Sequence, residues 1–401
     1  MPRVLLLLPT ATYRAEDFLA AAETVGAEVV VASDRRQALH GAMGDRALRI
    51  DLRRPERAAA AIVALARRVE LDAVVAVDDG GVLAAALASE QLGLAHNPPS
   101  AVAATRDKAA MRHALHAAGI PQPGFVVLAP GDDAGAVEFP AVLKPVALSA
   151  SRGVIRADDA AGARAAVTRI RAILAAAGED ADGSILAERY VPGAEVAVEA
   201  LLRAGELEVL AVFDKPDPLE GPYFEETIYV TPSRLPAERL RRVAELAAAA
   251  ASALGLREGP VHAEIRLDGD RAWVLELAAR SVGGLCSRAL RFGAGVSLEE
   301  VILRHALGLT LGAHAREGAA SGVMMLPIEE AGTLREVRGI DAARAVPGVQ
   351  DVRITIPSGR PLVPLPEGDR YLGFVFARGE TPAQVEAALR QAHAALQIVL
   401  D

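Results

Sequence analysis

One cysteine, three lysines and few aromatic rings set the first limits on this chain of 401 residues. Cys286 stands alone, so no disulfide framework or thiolate metal cluster can be assembled within one chain, and a reducing, cytoplasmic setting is the expectation. Aromatics make up 3% of residues against 52% hydrophobic overall, which favours alanine-rich helices packed on sheet over an aromatic-rich β-sandwich. Long hydrophobic runs are also missing. The run at 4–8 is cut by Pro9, is shorter than a signal-peptide core and reads as a buried strand. The alanine run at 246–254 lies between Arg242 and Arg257, too short to span a bilayer, and reads as a core-facing helix. There is no basic stripe: net charge is −9 and arginine is spread along the chain, which speaks against nucleic-acid and membrane partners and for small molecules. Pro9 to Tyr13 contains no glycine for close approach of a pyrophosphate, which disfavours a dinucleotide oxidoreductase.

What is present begins with rhythm. Apolar runs at 4–8, 28–32 and 73–77 alternate with a helical pattern at 16–25, the βαβ signature of an open parallel sheet. Asn97-Pro98-Pro99-Ser100 ends this unit. A helix is expected over 106–118, capped by Thr105 and stopped at Gly119, with Lys108 in its first turn. A cation there opposes the helix dipole and would gain from an anion beside it. Of the 43 cationic residues only Lys108, Lys144 and Lys215 are lysine, the compact ammonium that suits phosphate oxygens.

Lys144 ends a short strand and is followed by small and hydroxylated residues, Ser149 to Gly153, that could fold over phosphates or form an ordinary surface connection. A strand at 185–189 enters a Pro192-Gly193 turn with acids at both ends, either a solvated hairpin or a hinge for a purine. A hairpin is expected at 261–277. With Asp268 to Asp270 as a three-residue connection, Glu264 would face Val274 and Glu276 would lie diagonally on the same face, about 7 to 8 Å away. Such a pair could hold a hard cation such as Mg²⁺ or could pair with arginines and point to water. His262 reads as a packed residue.

In order, the segments 96–112, 139–154, 185–196, 261–267 and 274–284 resemble the successive motifs of the ATP-grasp superfamily. The resemblance implies an α/β ATP-grasp fold: an N-terminal Rossmann-like (pre-ATP-grasp) domain at 1–97, a two-lobed ATP-grasp domain at 98–307 and a small α+β C-terminal domain at 308–401. It implies that Lys108 and Lys144 hold the phosphates of ATP under a loop carrying Ser149, Ser151 and Gly153. Glu188, Arg189 and the backbone of Tyr190 and Val191 would hold adenine, and Glu195 the ribose. Glu264 and Glu276 would ligate Mg²⁺, with Mn²⁺ as a substitute. Arg280 would face the transferred phosphoryl group, and the Gly283 and Gly284 N–H groups an oxyanion. Ala278 replaces the asparagine of the family's Glu-x-Asn, which puts a second Mg²⁺ in doubt.

The stretches 213–227, 276–280 and 371–375 are similar to the L-amino-acid ligase branch, which implies carboxylate and amine substrates joined through an acyl-phosphate; Glu225 and Glu226 are candidates to meet the ammonium. The resemblance leaves room for a homodimer. A purine-pathway or biotin-carboxylase-like enzyme and a non-catalytic ATP-binding protein stay open as alternatives.

Overall fold

The computed structural model describes residues 1–35, 46–293, 295–312 and 314–401. The first apolar run is the strand Arg3–Leu7, which lies between Glu28–Ser33 and Ala73–Ala76 in a four-stranded parallel sheet completed by Ala47–Arg49. Leu5 and Leu7 join one apolar cluster and Val4 and Leu6 another, as a parallel strand covered on both faces requires. Strand order reverses about Arg3–Leu7, and such a reversal opens a crevice at the carboxyl ends of the strands. The loops leaving there, with Thr12 and Tyr13 and with Asp78 and Asp79, line the main cavity.

The helix expected over 106–118 is divided differently. Pro99 opens a helix, Pro99–Arg106, in which Thr105 Oγ1 bonds back to the Val102 carbonyl, so Thr105 caps nothing that follows. Asp107 leaves helical geometry and its carboxylate accepts from the Ala109 and Ala110 N–H groups, making Lys108 the first residue of Lys108–Ala117. A free carboxylate beside unpaired N–H groups is the better cap.

Four antiparallel strands, Phe125–Leu128, Ile185–Arg189, Ala141–Pro145 and Ile155–Ala157, form a small sheet covered by the helix Ala160–Ala177 through Ala163, Ile170 and Leu174. The large sheet has eight strands in the order Arg271–Ala278, Gly259–Asp268, Ala194–Arg203, Glu206–Lys215, Ile228–Thr231, Ala320–Leu326, Gly373–Gly379, Val349–Ile354. It runs without a break across 307/308, because Ile228–Thr231 pairs with Ala320–Leu326. The alanine run lies in Ala237–Ala253, which packs on this sheet through Val243, Ala247 and Ala251. Thr381 forms a capping box with Gln384 ahead of Pro382–Ala394. Among the described residues no helix is long and apolar enough to cross a membrane.

Candidate active site

The hairpin strands Gly259–Asp268 and Arg271–Ala278 set the centre of the site. The connection is one residue shorter than expected, since Asp268 pairs with Arg271. On its own this register would put Leu275 opposite Glu264 and turn Glu276 to the far face. A bulge restores the arrangement: Ile265 pairs with Val274, Leu275 is the extra residue, and Glu264 pairs with Glu276. The two glutamates are therefore direct neighbours rather than diagonal ones, a spacing of about 4.5–5.5 Å between Cβ atoms in a regular ladder.

Each acid has its own cation. Lys108 Nζ lies 3.2 Å from Glu276, while Lys215 Nζ and His262 Nε2 lie 3.6 and 3.5 Å from Glu264. Burial opposes ionisation of Glu264, yet Lys215 and His262 hold its carboxyl well below the usual range. Lys215 also bonds Glu195 at 2.5 Å and Glu226, and Arg266 clamps the second oxygen of Glu195 at 2.7 Å. Burial disfavours the Lys215 ammonium, and these carboxylates reverse the effect and raise its pKa. Glu195, Glu226 and Glu264 bring oxygens within 4.8 Å of one another, an all-oxygen set. Glu188 is held by Arg112 Nε at 2.5 Å and Lys144 Nζ at 2.6 Å and is buried. Burial lowers the Lys144 pKa, and the Glu188 carboxylate offsets only part of that fall. His262 is disfavoured as a cation by burial, but Glu199 raises its pKa to about 9.

A cavity of about 800 Å³ gathers most of the expected residues: Lys108, Lys144, Ser149, Ser151, Glu188, Arg189, Tyr190, Val191, Glu195, Glu264, Glu276, Arg280, Gly283 and Gly284. Gly153 is not on its wall. The Gly153 N–H donates to the Pro366 carbonyl at 2.9 Å, so it is not free for a phosphate; instead it ties the loop to the C-terminal region, where Arg152 also bonds the Glu367 carbonyl at 3.0 Å. The Tyr190 N–H is likewise committed, to the Pro140 carbonyl at 2.8 Å, whereas the Val191 N–H has no partner among the described residues. Glu226 reaches the cavity and Glu225 does not; Glu225 accepts weakly from the Ile328 N–H. Lys215 stands behind the wall that its three glutamates form.

Sequence models of known families match three parts of the chain: the ATP-grasp N-terminal domain at 19–96, the ATP-grasp domain at 137–289 and the L-amino acid ligase C-terminal domain 2 at 324–401. The chain belongs to the ATP-grasp superfamily. This ATP-grasp chain is 28% identical over 263 residues to an alanine–anticapsin ligase of Bacillus subtilis, covering 60% of its own length and 55% of the relative's. It is 31% identical over 295 residues to carnosine synthase 1 of Gallus gallus, covering 67% of its own length and 31% of the relative's. The chain thus spans about a third to a half of these two relatives. Among solved structures, the L-amino acid ligase of Bacillus licheniformis has the same fold, with a TM-score of 0.84, 24% identity and coverage of 100% of this chain and 99% of that one. The N5-carboxyaminoimidazole ribonucleotide synthetase of Thermotoga maritima has a TM-score of 0.74, with 17% identity and coverage of 100% of both chains.

Several residues of this ATP-grasp site escaped the sequence reading. Asp79, which holds Arg280 at 2.9 Å, opens the helix Asp79–Leu92 that follows a strand of the N-terminal sheet, and no local pattern links the two. Arg112 was visible in principle, four residues after Lys108 on the same helix face. Arg266 and Glu199 also carried a signal, the period of two that places them with Glu264 and with Glu195 on one sheet face.

Proposed function

We propose that this chain is an ATP-dependent carboxylate–amine ligase that joins amino acids through an acyl-phosphate, releasing ADP and phosphate. The observation that carries the reading is the meeting of Lys108, Lys144, Glu264, Glu276 and Arg280 on one cavity wall, from segments far apart in sequence. The L-amino acid ligase C-terminal match and the ligase relatives support the choice of amide chemistry over carboxylation.

A substrate carboxylate and the phosphates repel, so the protein's task is charge neutralisation and positioning. Lys108 and Lys144 neutralise phosphate oxygens. Glu264 and Glu276 offer only oxygen donors, which fit Mg²⁺ or Mn²⁺; a bound ion would supply further charge neutralisation there. Arg280, oriented by Asp79, faces the phosphoryl group in transit. A Cβ at Gly283 would meet nothing within 4 Å, so its backbone lies open to a developing oxyanion. The Val191 N–H and the carbonyl edge beside it take the adenine. Glu226 receives the incoming ammonium, and the tied loop 149–153 keeps water from the acyl-phosphate.

The test is a phosphate-release screen of the purified protein with Mg-ATP and pairs of amino acids, with mass detection of products. ADP and a dipeptide are expected; turnover driven by bicarbonate alone would establish a carboxylase, and ATP binding without turnover a non-catalytic protein. Arg280→Ala is expected to lower ligation by on the order of 10²–10³-fold while ATP still binds; undiminished ligation would remove Arg280 from the mechanism.

A further inference from the structure

Beside Glu264, a chain of contacts runs from the carboxylate hairpin into the neighbouring strand, and the proposed chemistry gives its middle members no role. On the strand Gly259–Asp268, His262 and Glu264 point to the same face, and His262 stands opposite Glu199 on the neighbouring strand Ala194–Arg203. His262 Nδ1 bonds one oxygen of Glu199, and its Nε2 lies 3.5 Å from Glu264. The other Glu199 oxygen accepts the Val282 N–H at 2.9 Å. Val282 sits in the turn between Arg280 and Gly283. A continuous line of contacts therefore runs from a hairpin carboxylate through imidazole and a second carboxylate to the turn that presents the phosphoryl-facing groups.

Three features argue that this line positions the site and is not merely buried polarity. Glu199 and His262 are 1% and 5% exposed, and a carboxylate is costly to bury unless every lone pair is used. Both Glu199 oxygens are used, one at each end of the line. On the other side of His262 the cross-strand partner is Ala278, whose small side chain leaves the ring room to span both acids. A ring nitrogen fixed by a carboxylate is the usual device for orienting a ligand one bond further out.

We infer that Glu199 and His262 are positioning residues that lock Glu264 to the Arg280–Gly284 turn, so that the metal-nucleotide site and the phosphoryl-facing turn form one rigid unit. This rests on the proposed reading of Glu264 as a metal carboxylate. Glu199 lies off the cavity wall, and His262 reaches the wall only beside Glu264, the group it is inferred to hold.

The two ring nitrogens can be separated. In His262→Asn the amide nitrogen falls near Nδ1 and keeps Glu199 while releasing Glu264. In His262→Gln it falls near Nε2 and keeps Glu264 while releasing Glu199. Binding of Mn²⁺ with ADP to the full chain, followed by the paramagnetic resonance signal of free Mn²⁺, needs no turnover and no knowledge of the substrates. Both variants, with unfolding midpoints measured alongside, are expected to bind Mn²⁺–ADP about 10-fold to 100-fold more weakly than the parent, because either break frees Glu264 from the turn. If either folded variant binds as tightly as the parent, the positioning role is overturned; should one not fold, the other decides. A parent chain that binds no Mn²⁺–ADP would overturn this inference and the metal-nucleotide site together. A parent that binds Mn²⁺–ADP but forms no amide would overturn only the ligase reading.

Discussion

At the scale of single residues, the site is a set of buried charges that neutralise one another. Glu188 faces two cations, Arg112 and Lys144, and all three side chains are buried. Removing the shared partner of buried charges leaves them uncompensated, so Glu188→Ala is expected to cost on the order of 3–5 kcal/mol, read as a lower denaturant midpoint at unchanged slope. The three lysines were legible because so few occur, and the structure gives each an acidic partner. The roles of their partners were less legible. A sequence shows that Glu188 and Glu195 flank a turn; it does not show that one is pinned by Arg112 from a helix and the other by Arg266 from another strand.

At the scale of elements, register decides which groups meet. The hairpin was legible from its alternation, but the bulge at Leu275 was not, because an extra residue on one strand leaves no mark in an apolar-polar pattern. The adjoining Pro192-Gly193 turn shows a stricter requirement. Gly193 has φ of +104°, and a Cβ there would lie 1.9 Å from the Leu267 carbonyl oxygen, which forces the turn away from the hairpin. Gly193→Ala is expected to destabilise the protein by about 2–3 kcal/mol and to weaken ATP binding more than it slows turnover, since Val191 lies two residues before it. An ATP titration of the variant by calorimetry checks this. The helix starting at Lys108 was expected from a threonine cap; a structure in which aspartate takes that place shows how an adjacent stronger cap shifts a boundary.

At the scale of the molecule, distant segments are held by a few internal ties. Arg14, near the N-terminal sheet, and Glu299, in Leu298–Ala306, form a buried pair at 2.9 Å. Burial opposes ionisation of Glu299, but Arg14 holds its pKa below the ordinary 4.5. A carboxylate depressed in the folded state contributes stability that is fully present above about pH 4.5 and is lost as pH falls through the folded value. Glu299→Gln is therefore expected to lower stability at neutral pH and to flatten its fall in acid, checked by far-UV dichroism across a pH series. The order of the ATP-grasp segments was legible in the sequence, whereas ties of this kind join positions whose only relation is three-dimensional.

The eight-stranded sheet carries a practical consequence. Ile228–Thr231, every residue of which is buried, borders Ala320–Leu326, a strand contributed from beyond residue 307. A chain cut at 307 would present that apolar strand as a raw margin with unpaired backbone groups, the geometry that recruits other chains. Such a fragment is expected to precipitate or self-associate on sizing columns instead of acting as an independent nucleotide module, so the last ninety or so residues serve as a built-in cover against aggregation.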